Sequence, residues 1–553
     1  MSGDNLPRLN KDSLLIREWL MKKRIAITVL LLVCFAMQSV FACFITGVGR
    51  LASSDGSTMT SHTCDSTGDD LRLWLIPSME EGSERDVVVS GRKDADYSNF
   101  PEVKDYGSRG IVMDTYVNDK DTYQYLHAMY SFANEKGVTM NESTCGWTAD
   151  QRKVFAEYEG IWDCYMLQDA ALENCATAKD AVVFMGEKIS EQGWNGWPEC
   201  IIIADGTDLW AFEAYGGNMW CAFRVPDDAF FFCANRCRID FWEEDSDTYL
   251  SDPNMKQFAI DTGLWNGEGE FRPCQVFAAG NYSFSCVGRE WRAICNVENE
   301  YSEAFRANED LALTKTPDDD FPLYIIPSEK ISVQTIFDIC GDHYEGTRYD
   351  NTKSAYAGMY GNVYSGNYEY RPTSVPQCTY FQISNVKAWL PEEVRCLVYF
   401  GWGAPSTTYL TPVFASQTEL ADHFGRGTRY EYDPESGWWN EALVQTASTL
   451  NYADAIQVIR ELRDPIMETQ YEVTFAIQNQ AAKMIKNGDK DAAIALLTTY
   501  ANGQAEMWFD LYDELSEYLL SRYVVGRVNM QKVPALHPDW WSKVLTSVSY
   551  IQK

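Results

Sequence analysis

The residues that most constrain this chain form a basic and apolar segment that ends directly before a cysteine. Residues 21–24 read Met-Lys-Lys-Arg, an apolar run of 13 residues follows at 25–37, and residues 40–42 read Val-Phe-Ala. A basic stretch, a short apolar run and a cleavage point in this order are typical of an export signal. Cleavage after residue 42 would make Cys43 the first residue of the mature protein. We therefore expect the rest of the fold to be arranged around Cys43.

The same segment predicts the location of the protein. Residues 1–20 are polar and charged without an apolar run, so we expect an upstream extension there and a translation start at Met21. Residues 21–42 are then a bacterial-type signal peptide. An apolar run of 13 residues is too short to cross a bilayer comfortably. We predict an exported protein, periplasmic or secreted, without a membrane span.

A cysteine at the N-terminus carries a thiol and an amine on the same residue. A free thiol has a pKa of about 8.5 and an α-amine one of about 8, close enough for the amine to take the thiol proton. An N-terminal amine activates threonine nucleophiles in the same way, and a thiolate is the better nucleophile. The expected reaction is acyl transfer to sulfur followed by hydrolysis.

The residues after Cys43 predict a β-hairpin. Asp55-Gly56 is a strong tight-turn dipeptide between residues 43–50 and 58–64. Pairing of these two runs would bring residues 62–65 beside Cys43. Asp65 can then orient the α-amine through a charge-assisted hydrogen bond.

These residues resemble a known family. Cys43, the sequence Val-Gly-Arg-Leu-Ala-Ser-Ser-Asp-Gly-Ser at 48–57, and Asp65 are similar to the cysteine dipeptidases related to the secernins, which are N-terminal nucleophile hydrolases. Further matches lie at residues 229–239 and 371–389. The resemblance implies an α+β fold, the αββα sandwich of two mainly antiparallel sheets, and hydrolysis of dipeptides.

The resemblance also implies roles for individual residues. Cys43 would attack the scissile carbonyl, Asp65 would orient the amine, and Asn235 would donate to the oxyanion. Asn235 follows the apolar run 229–234, whose strand would deliver its amide to a sheet edge; capping of a turn is the structural alternative. Arg289, or its neighbour Arg292, would bind a substrate carboxylate, although such arginines are more often paired structurally.

The chain departs from the family's commoner pattern at one position. Many members have Arg-Asn-x-Asp after the hairpin, whereas residues 62–65 here read His-Thr-Cys-Asp. His62 at the arginine position is expected to contact substrate. Because histidine titrates near neutral pH, it would weaken a carboxylate grip or make activity pH-dependent.

Charge and cysteine content exclude several function classes. The formal charge of −34 argues against nucleic acid as a partner. Cys233 and Cys237 lie four residues apart without a companion histidine pair, so we predict no metal site and no cofactor. The cysteines beyond Cys43 are read as up to seven disulfides or as buried thiols. Aspartates and glutamates other than Asp65 are expected on the surface.

Apolar spacing predicts the remaining architecture. It indicates helices at 122–136, 161–176 and 178–192, and an antiparallel meander from 200 to 234. Residues 452–525 are almost wholly helical, with turns at 487–489 and 502–503. We predict a hydrolase domain at 43–430 and a mostly helical region at 431–553, which packs on the sheets or joins subunits in a homo-oligomer.

Two other functions stay open at this point. An acylase acting on conjugated bile acids or acyl amino acids would use the same terminal cysteine. Residues 40–43 also resemble a bacterial lipoprotein processing site, where acylation of Cys43 on sulfur and nitrogen would leave a non-catalytic, lipid-tethered module. The bulky Phe41 fits that site poorly, and the residues beyond Cys43 favour the enzyme.

Overall fold

The computed structural model of this 553-residue chain describes most of the sequence after the proposed signal peptide. The described residues are 43–66, 70–89, 111–158, 160–244, 246–365, 368–429 and 431–531. The proposed extension at 1–20 and the proposed signal peptide at 21–42 lie outside these ranges.

Two antiparallel sheets form the centre of the fold. The first has seven strands in the order β14-β12-β1-β2-β15-β16-β17. Its strands are β1 Phe44–Val48, β2 Thr58–Asp65, β12 Phe230–Cys233, β14 Tyr324–Ile325, β15 Cys378–Val386, β16 Cys396–Trp402 and β17 Thr411–Phe414. Strand β1 therefore has a neighbour on each side, β12 and β2.

The second sheet has eight strands in the order β13-β11-β10-β9-β8-β7-β6-β3. Its strands are β3 Trp74–Ile76, β6 Tyr125–His127, β7 Ser131–Asn134, β8 Thr139–Thr144, β9 Glu199–Ala204, β10 Leu209–Gly216, β11 Met219–Arg224 and β13 Tyr249–Ser251. A separate pair consists of β4 Glu84–Val89 and β5 Ile111–Val117. Strands β9, β10 and β11 form the meander predicted from residue 200 onwards. The fourth predicted strand, β12, is wrong as part of it, because β12 crosses to the first sheet and pairs with β1 and β14.

The helices lie outside the sheets. They are α1 Ala149–Phe155, α2 Cys164–Asn174, α3 Ala178–Gln192, α4 Met255–Asp261, α5 Pro273–Ala278, α6 Phe284–Asn296, α7 Ser302–Ala307, α8 Leu311–Thr314, α9 Val333–Cys340, α10 Glu392–Arg395, α11 Gly437–Ser448, α12 Tyr452–Lys486 and α13 Lys490–Arg522. Short 3₁₀ turns occupy Asn351–Lys353, Ala355–Tyr360, Asp422–Gly425 and Val524–Gly526. None of the helices in the described ranges combines the length and apolar character needed to cross a bilayer.

The sheets stack face to face, with β1 and β2 packed on β8 and β9. The packing is close at Gly47, where an added Cβ would lie 2.8 Å from the side chain of Ile202 in the opposite sheet. Helices α2 and α3 cover the second sheet, while α9, α11 and α13 cover the first. This layering confirms the predicted α+β sandwich.

The predicted opening hairpin is present, but its connection is longer than a two-residue turn. Strands β1 and β2 pair antiparallel, and residues 49–57 connect them. Asp55 accepts hydrogen bonds from the backbone of Ser57 at 3.1 Å and from the hydroxyl of Ser53 at 2.8 Å. Gly56 takes the left-handed conformation with φ 79°, which glycine adopts without strain. The Asp-Gly signal located the turn correctly.

The helix predicted at 122–136 is wrong, because this segment forms β6 and β7. Residues 125–134 are buried throughout, since the two strands lie inside the second sheet between β3 and β8. A segment buried on both faces shows no two-residue alternation, and its apolar residues can match a helical period by chance. Asn134 closes the turn by accepting from the backbone of Lys136 and Val138.

The C-terminal region is helical as predicted, with one correction. The turn at 487–489 separates α12 from α13, and Gly488 has φ 93°. The turn predicted at 502–503 is wrong, because α13 runs through it. Ala501 and Ala505 are buried on one side of this helix while Gly503 is exposed on the other, so packing along the helix outweighs the local turn preference.

The cysteines of the described ranges are buried thiols. All fifteen of them are buried, and none forms a disulfide. The interpretation as buried apolar thiols therefore holds for these residues, and the alternative of up to seven disulfides does not. Free cysteine packs as a small hydrophobic side chain, which accounts for so many in one core.

Candidate active site

Cys43 lies directly before β1 and is 2% exposed. Its carbonyl oxygen accepts a hydrogen bond from Arg289 Nη1 at 2.9 Å and one from Ser143 Oγ at 3.4 Å. The next residue, Phe44, donates its backbone N–H to Thr63 Oγ1 at 3.1 Å. Strand β2, strand β8 and helix α6 thus fix the backbone at Cys43 together.

Four buried side chains form what we call the Cys43 cluster: Cys43, His62, Glu142 and Glu199. The Cys43 thiol donates to Glu142 Oε1 at 3.3 Å. His62 Nε2 lies 3.3 Å from the same oxygen, without the geometry of a hydrogen bond, and Nδ1 lies 3.0 Å from the hydroxyl of Tyr380. The hairpin register, with Ile45 opposite His62, brings the histidine to Cys43 as the sequence predicted.

The ionisable groups of this cluster shift one another's pKa values. Burial opposes protonation of His62, but its contacts with Cys43 and Glu142 raise its pKa to about 10. Burial alone would raise the pKa of Glu142, and the close contact and charge of His62 lower it overall. Burial and the charge of Glu142 hold the pKa of Glu199 well above its ordinary range. These shifts favour a charged His62 beside a charged Glu142, and a protonated Glu199.

The Cys43 thiol is protonated in this environment. A hydrogen bond with Cys64, burial and the charge of Glu142 raise its pKa well above the ordinary value, while His62 lowers it. A base must therefore remove the proton before this sulfur can act as a nucleophile. In the uncut chain the nitrogen of Cys43 belongs to a peptide bond and has no basicity.

Asn235 follows β12 and has a left-handed backbone with φ 61°, which asparagine tolerates better than most residues. Its backbone N–H donates to Ser143 Oγ at 3.0 Å, and Nδ2 donates to the carbonyl of Thr144 at 2.9 Å. An amide nitrogen carries two hydrogens, so one donor remains beyond the bond to Thr144. The strand end delivers this amide beside Cys43, as expected.

Arg289 lies on α6 and is 1% exposed. It donates to the carbonyl of Cys43 and, at 2.6 Å, to Asn235 Oδ1. Arg289 therefore orients two candidate catalytic residues, and its role in binding a substrate carboxylate stays a prediction. Arg292 pairs instead with Asp342 at 2.7 Å and lies outside this group of contacts.

Asp65 ends β2 and is 1% exposed. One carboxylate oxygen, Oδ2, accepts from Arg371 Nη2 at 2.6 Å, whereas Oδ1 is buried without a hydrogen bond of normal geometry. Burial raises the pKa of Asp65 to about 6 despite the opposing charges of Arg371 and Arg289. Such a carboxylate oxygen can accept a hydrogen bond from a further donor, such as an α-amine that cleavage before Cys43 would create.

A second buried charged group, which we call the Arg236 cluster, contains Arg236, Arg238, Glu290 and Asp320. Arg236 donates to Glu290 at 2.7 Å through Nε and to both oxygens of Asp320 at 2.6 and 2.7 Å. Arg238 donates to the carbonyl of Pro322 at 2.7 Å. This cluster holds the loop after β12 against α6, which carries Arg289.

The sequence analysis missed three residues of the site. Glu142, Glu199 and Ser143 belong to β8 and β9, and the expectation that other acidic residues lie on the surface is wrong for both glutamates. Glu213 and Glu290 are further buried exceptions. A glutamate inside an otherwise buried strand is the signal that could have indicated them, because such a residue is rarely buried without a partner.

Two groups of side chains have the spacing to hold a metal ion. Ligand atoms of Cys43, His62 and Glu142 all lie within 4.8 Å of one another, and the same is true of Glu142, Cys164 and Glu199. Glu142 belongs to both groups. The prediction of no metal site rested on the cysteine spacing of the sequence and did not consider these residues.

Comparisons with known proteins agree with the geometry. A family model described as "Peptidase family C69" matches residues 42–464. The "Probable dipeptidase" of Salmonella dublin is 25% identical over 403 residues, 71% of this chain and 85% of the relative. The "Probable dipeptidase B" of Lactococcus lactis subsp. lactis (strain IL1403) is 24% identical over 501 residues, 88% and 95% respectively. The "Dipeptidase" of Bifidobacterium longum (strain NCC 2705) is 22% identical over 486 residues, 82% and 85%.

Proposed function

The chain belongs to peptidase family C69, and we propose that it is an exported dipeptidase in which Cys43 becomes an N-terminal nucleophile. One observation carries the proposal: Ser143 of β8 and Arg289 of α6 both donate to the carbonyl of Cys43, the residue directly after the proposed cleavage point. Asn235, after β12, is hydrogen-bonded to both of them. The names of the relatives supply the substrate class.

The first half of the reaction forms an acyl-enzyme. The α-amine of processed Cys43 takes the thiol proton, and the sulfur attacks the carbonyl carbon of the dipeptide bond. The carbon–nitrogen bond then breaks, the α-ammonium gives its proton to the departing amine, and a thioester remains on Cys43.

The second half restores the enzyme. The α-amine takes a proton from a water molecule, whose oxygen attacks the thioester carbon. The carbon–sulfur bond breaks, and the α-ammonium returns a proton to the sulfur. The N-terminal amino acid of the dipeptide, which formed the thioester, leaves with a free carboxylic acid group. No oxidant or cofactor is needed for either half.

The neighbours of Cys43 support this sequence of steps. The Nδ2 hydrogen of Asn235 that Thr144 does not use can donate to the oxyanion, and such a donor typically contributes about 10²–10³ in rate. Asp65 Oδ1, buried without a hydrogen bond of normal geometry, is suited to receive a hydrogen bond from the α-ammonium. Arg289 holds Cys43 and Asn235 in a fixed relation.

Protein isolated from an exporting bacterial host tests the proposal. We expect intact mass and N-terminal sequencing to show a first residue of Cys43, and treatment with a thiol-alkylating reagent to abolish hydrolysis. A panel of dipeptides and N-acyl amides separates a dipeptidase from an acylase. A diacylglyceryl adduct on Cys43, or a different first residue, would overturn the mechanism.

A further inference from the structure

We propose that Cys43, His62 and Glu142 also form a binding site for a thiophilic divalent cation, of which zinc is the test case, and that the bound ion blocks the enzyme. Zinc prefers thiolate, imidazole and carboxylate ligands, and these are the three groups present. Their ligand atoms lie within 4.8 Å of one another. The site goes beyond the proposed function, and only its inhibitory effect rests on that function.

The orientation of His62 is that of a metal ligand. Its Nδ1 lies 3.0 Å from Tyr380 Oη, while Nε2, on the side of Cys43 and Glu142, is buried without a hydrogen bond of normal geometry. A metal-bound histidine usually donates its other ring N–H to a protein oxygen, which fixes the tautomer. Tyr380 supplies such an oxygen and leaves Nε2 available.

Glu142 is supported in the same way. Its Oε1 lies 3.3 Å from both Cys43 Sγ and His62 Nε2, and its Oε2 accepts from the hydroxyl of Thr144 at 3.4 Å. Hydrogen bonding of the second oxygen holds a ligating carboxylate in place. Three protein ligands leave a fourth position on a tetrahedral ion open.

The charge of the ligand set also suits a divalent ion. A thiolate, a neutral imidazole and a carboxylate carry two negative charges, and the two positive charges of the ion cancel them. The loaded site therefore has no net charge, which burial would otherwise oppose strongly.

The site depends on an imidazole at position 62. An arginine there would be permanently protonated and could not ligate a metal ion. A bound ion would withdraw the Cys43 sulfur from acyl transfer, so free cation would switch off hydrolysis and a chelator would restore it.

Binding is tested first on the mature wild-type protein. We expect zinc, measured by competition with a chromophoric chelator, to bind with one tight site per chain, and cobalt to give thiolate-to-metal charge-transfer absorption. We also expect zinc to protect Cys43 from alkylation, as located by peptide mass. Unchanged alkylation of Cys43 at saturating zinc would overturn the proposal without any variant.

Variants then locate the ion. Replacement His62→Gln should weaken zinc binding at least about 100-fold, since it removes a direct ligand. The matched control is His127→Gln, which removes another buried histidine that lies 3.5 Å from a carboxylate but has no cysteine ligand beside it, and which should leave binding unchanged. Cys164→Ala tests the competing group around Glu199.

The remaining outcomes are distinguishable. Retained affinity in His62→Gln together with loss in Cys164→Ala would overturn the proposal, and so would retention in both. The latter would indicate another thiol group, such as the hydrogen-bonded thiols of Cys145, Cys200 and Cys233. Zinc binding at Cys43 in a protein that hydrolyses no dipeptide would sink the proposed function and leave the site standing.

Discussion

The Cys43 cluster and the Arg236 cluster are built from neighbouring residues, yet they differ in how completely their atoms are bonded. Arg289 donates to the carbonyl of Cys43 in the first group, whereas the next residue, Glu290, belongs to the second. Asn235 is likewise bonded to Arg289, and the residue after it, Arg236, belongs to the second group. No side-chain atom of the four Arg236-cluster residues is buried without a hydrogen bond. In the Cys43 cluster, His62 Nε2 and Glu199 Oε2 are both buried without one.

This difference in hydrogen bonding indicates a structural role for the Arg236 cluster and a catalytic or binding role for the Cys43 cluster. A fully bonded polar group has one arrangement and fixes the elements that it joins. Buried polar atoms without a hydrogen bond are costly, and beside a candidate nucleophile they point to catalysis or ligand binding. We therefore expect substitutions in the Arg236 cluster to act on stability and those around Cys43 to act on turnover.

The largest expected effect is that of Cys43→Ala. Loss of the nucleophile should lower kcat/KM for a dipeptide by at least about 10⁴-fold, while the unfolding midpoint changes little. Steady-state kinetics and thermal unfolding of the processed protein measure the two quantities. Cys396→Ala, at another buried thiol, is the control and should keep its turnover. Equal turnover in both variants would remove Cys43 from the mechanism.

Arg236→Met should lower the stability of the protein and leave its turnover nearly unchanged, the reverse of Cys43→Ala. It removes the bidentate cation of Asp320 and the closer of the two cations of Glu290, which keeps Arg238 at 3.3 Å. The free energy of unfolding should fall by about 3–5 kcal/mol. Chemical denaturation measures this change, with kcat per folded molecule retained. The control is Arg348→Met, at an exposed ion pair with Asp310, which should cost less than about 1 kcal/mol. A similar decrease in the free energy of unfolding in both variants would show that the Arg236 cluster has no special structural role.

Asn235→Gly should lower kcat by about 10²–10³-fold because it removes a donor to the oxyanion. Glycine adopts the left-handed backbone of residue 235 freely, so the variant separates the amide from the backbone conformation. Measurement of kcat and KM separately is decisive. A change confined to KM would assign Asn235 to substrate binding.

The pH dependence should follow Asp65, which faces Arg371, Arg289, Cys378 and His62 and has a pKa of about 6. If the carboxylate orients the amine, kcat/KM should fall about tenfold per pH unit below pH 6. The folded state holds this proton more tightly than the unfolded chain, so its contribution to stability should decrease as pH rises from about 4 to about 6. A pH–rate profile that Asp65→Asn leaves unchanged would contradict this role.

The smallest effect is expected far from both clusters. Gly503 lies exposed within α13, and an added Cβ would meet nothing within 4 Å. Gly503→Ala should raise the free energy of unfolding by about 0.5–1 kcal/mol through helix propensity, with unchanged turnover. It provides a baseline for changes of stability alone. A change in turnover would show that the helical region is coupled to the site.

Local signals in the sequence predicted the parts of the fold that depend on neighbours along the chain. The Asp55-Gly56 turn located the hairpin, and apolar runs separated by turn residues located the three-stranded meander β9–β11. The same runs located strand β12 but not the sheet to which it belongs. Helix α3 matches its predicted bounds, 178–192, because its start has a Thr177 cap and its end a glycine at 193.

The contributions that come from across the sandwich were not predictable in this way. Glu142 meets Cys43 from the opposite sheet, 99 residues away in sequence, and no local pattern encodes that contact. Strands β6 and β7 are likewise defined by the strands on either side of them. The domain boundary near residue 430, the homo-oligomer, the export signal and the individual site roles stay predictions.

The position of β1 between two hydrogen-bonded neighbours has a practical consequence for any preparation of this enzyme. Chain ends usually fray, but an N-terminus created at Cys43 would be held at mid-sheet. Under the proposed maturation, cleavage would have to be accurate to a single residue. If one extra residue stayed attached, the nitrogen of Cys43 would remain in an amide bond. If one residue too many were removed, the Cys43 sulfur would be lost. Specific activity would then report the fraction of correctly trimmed molecules.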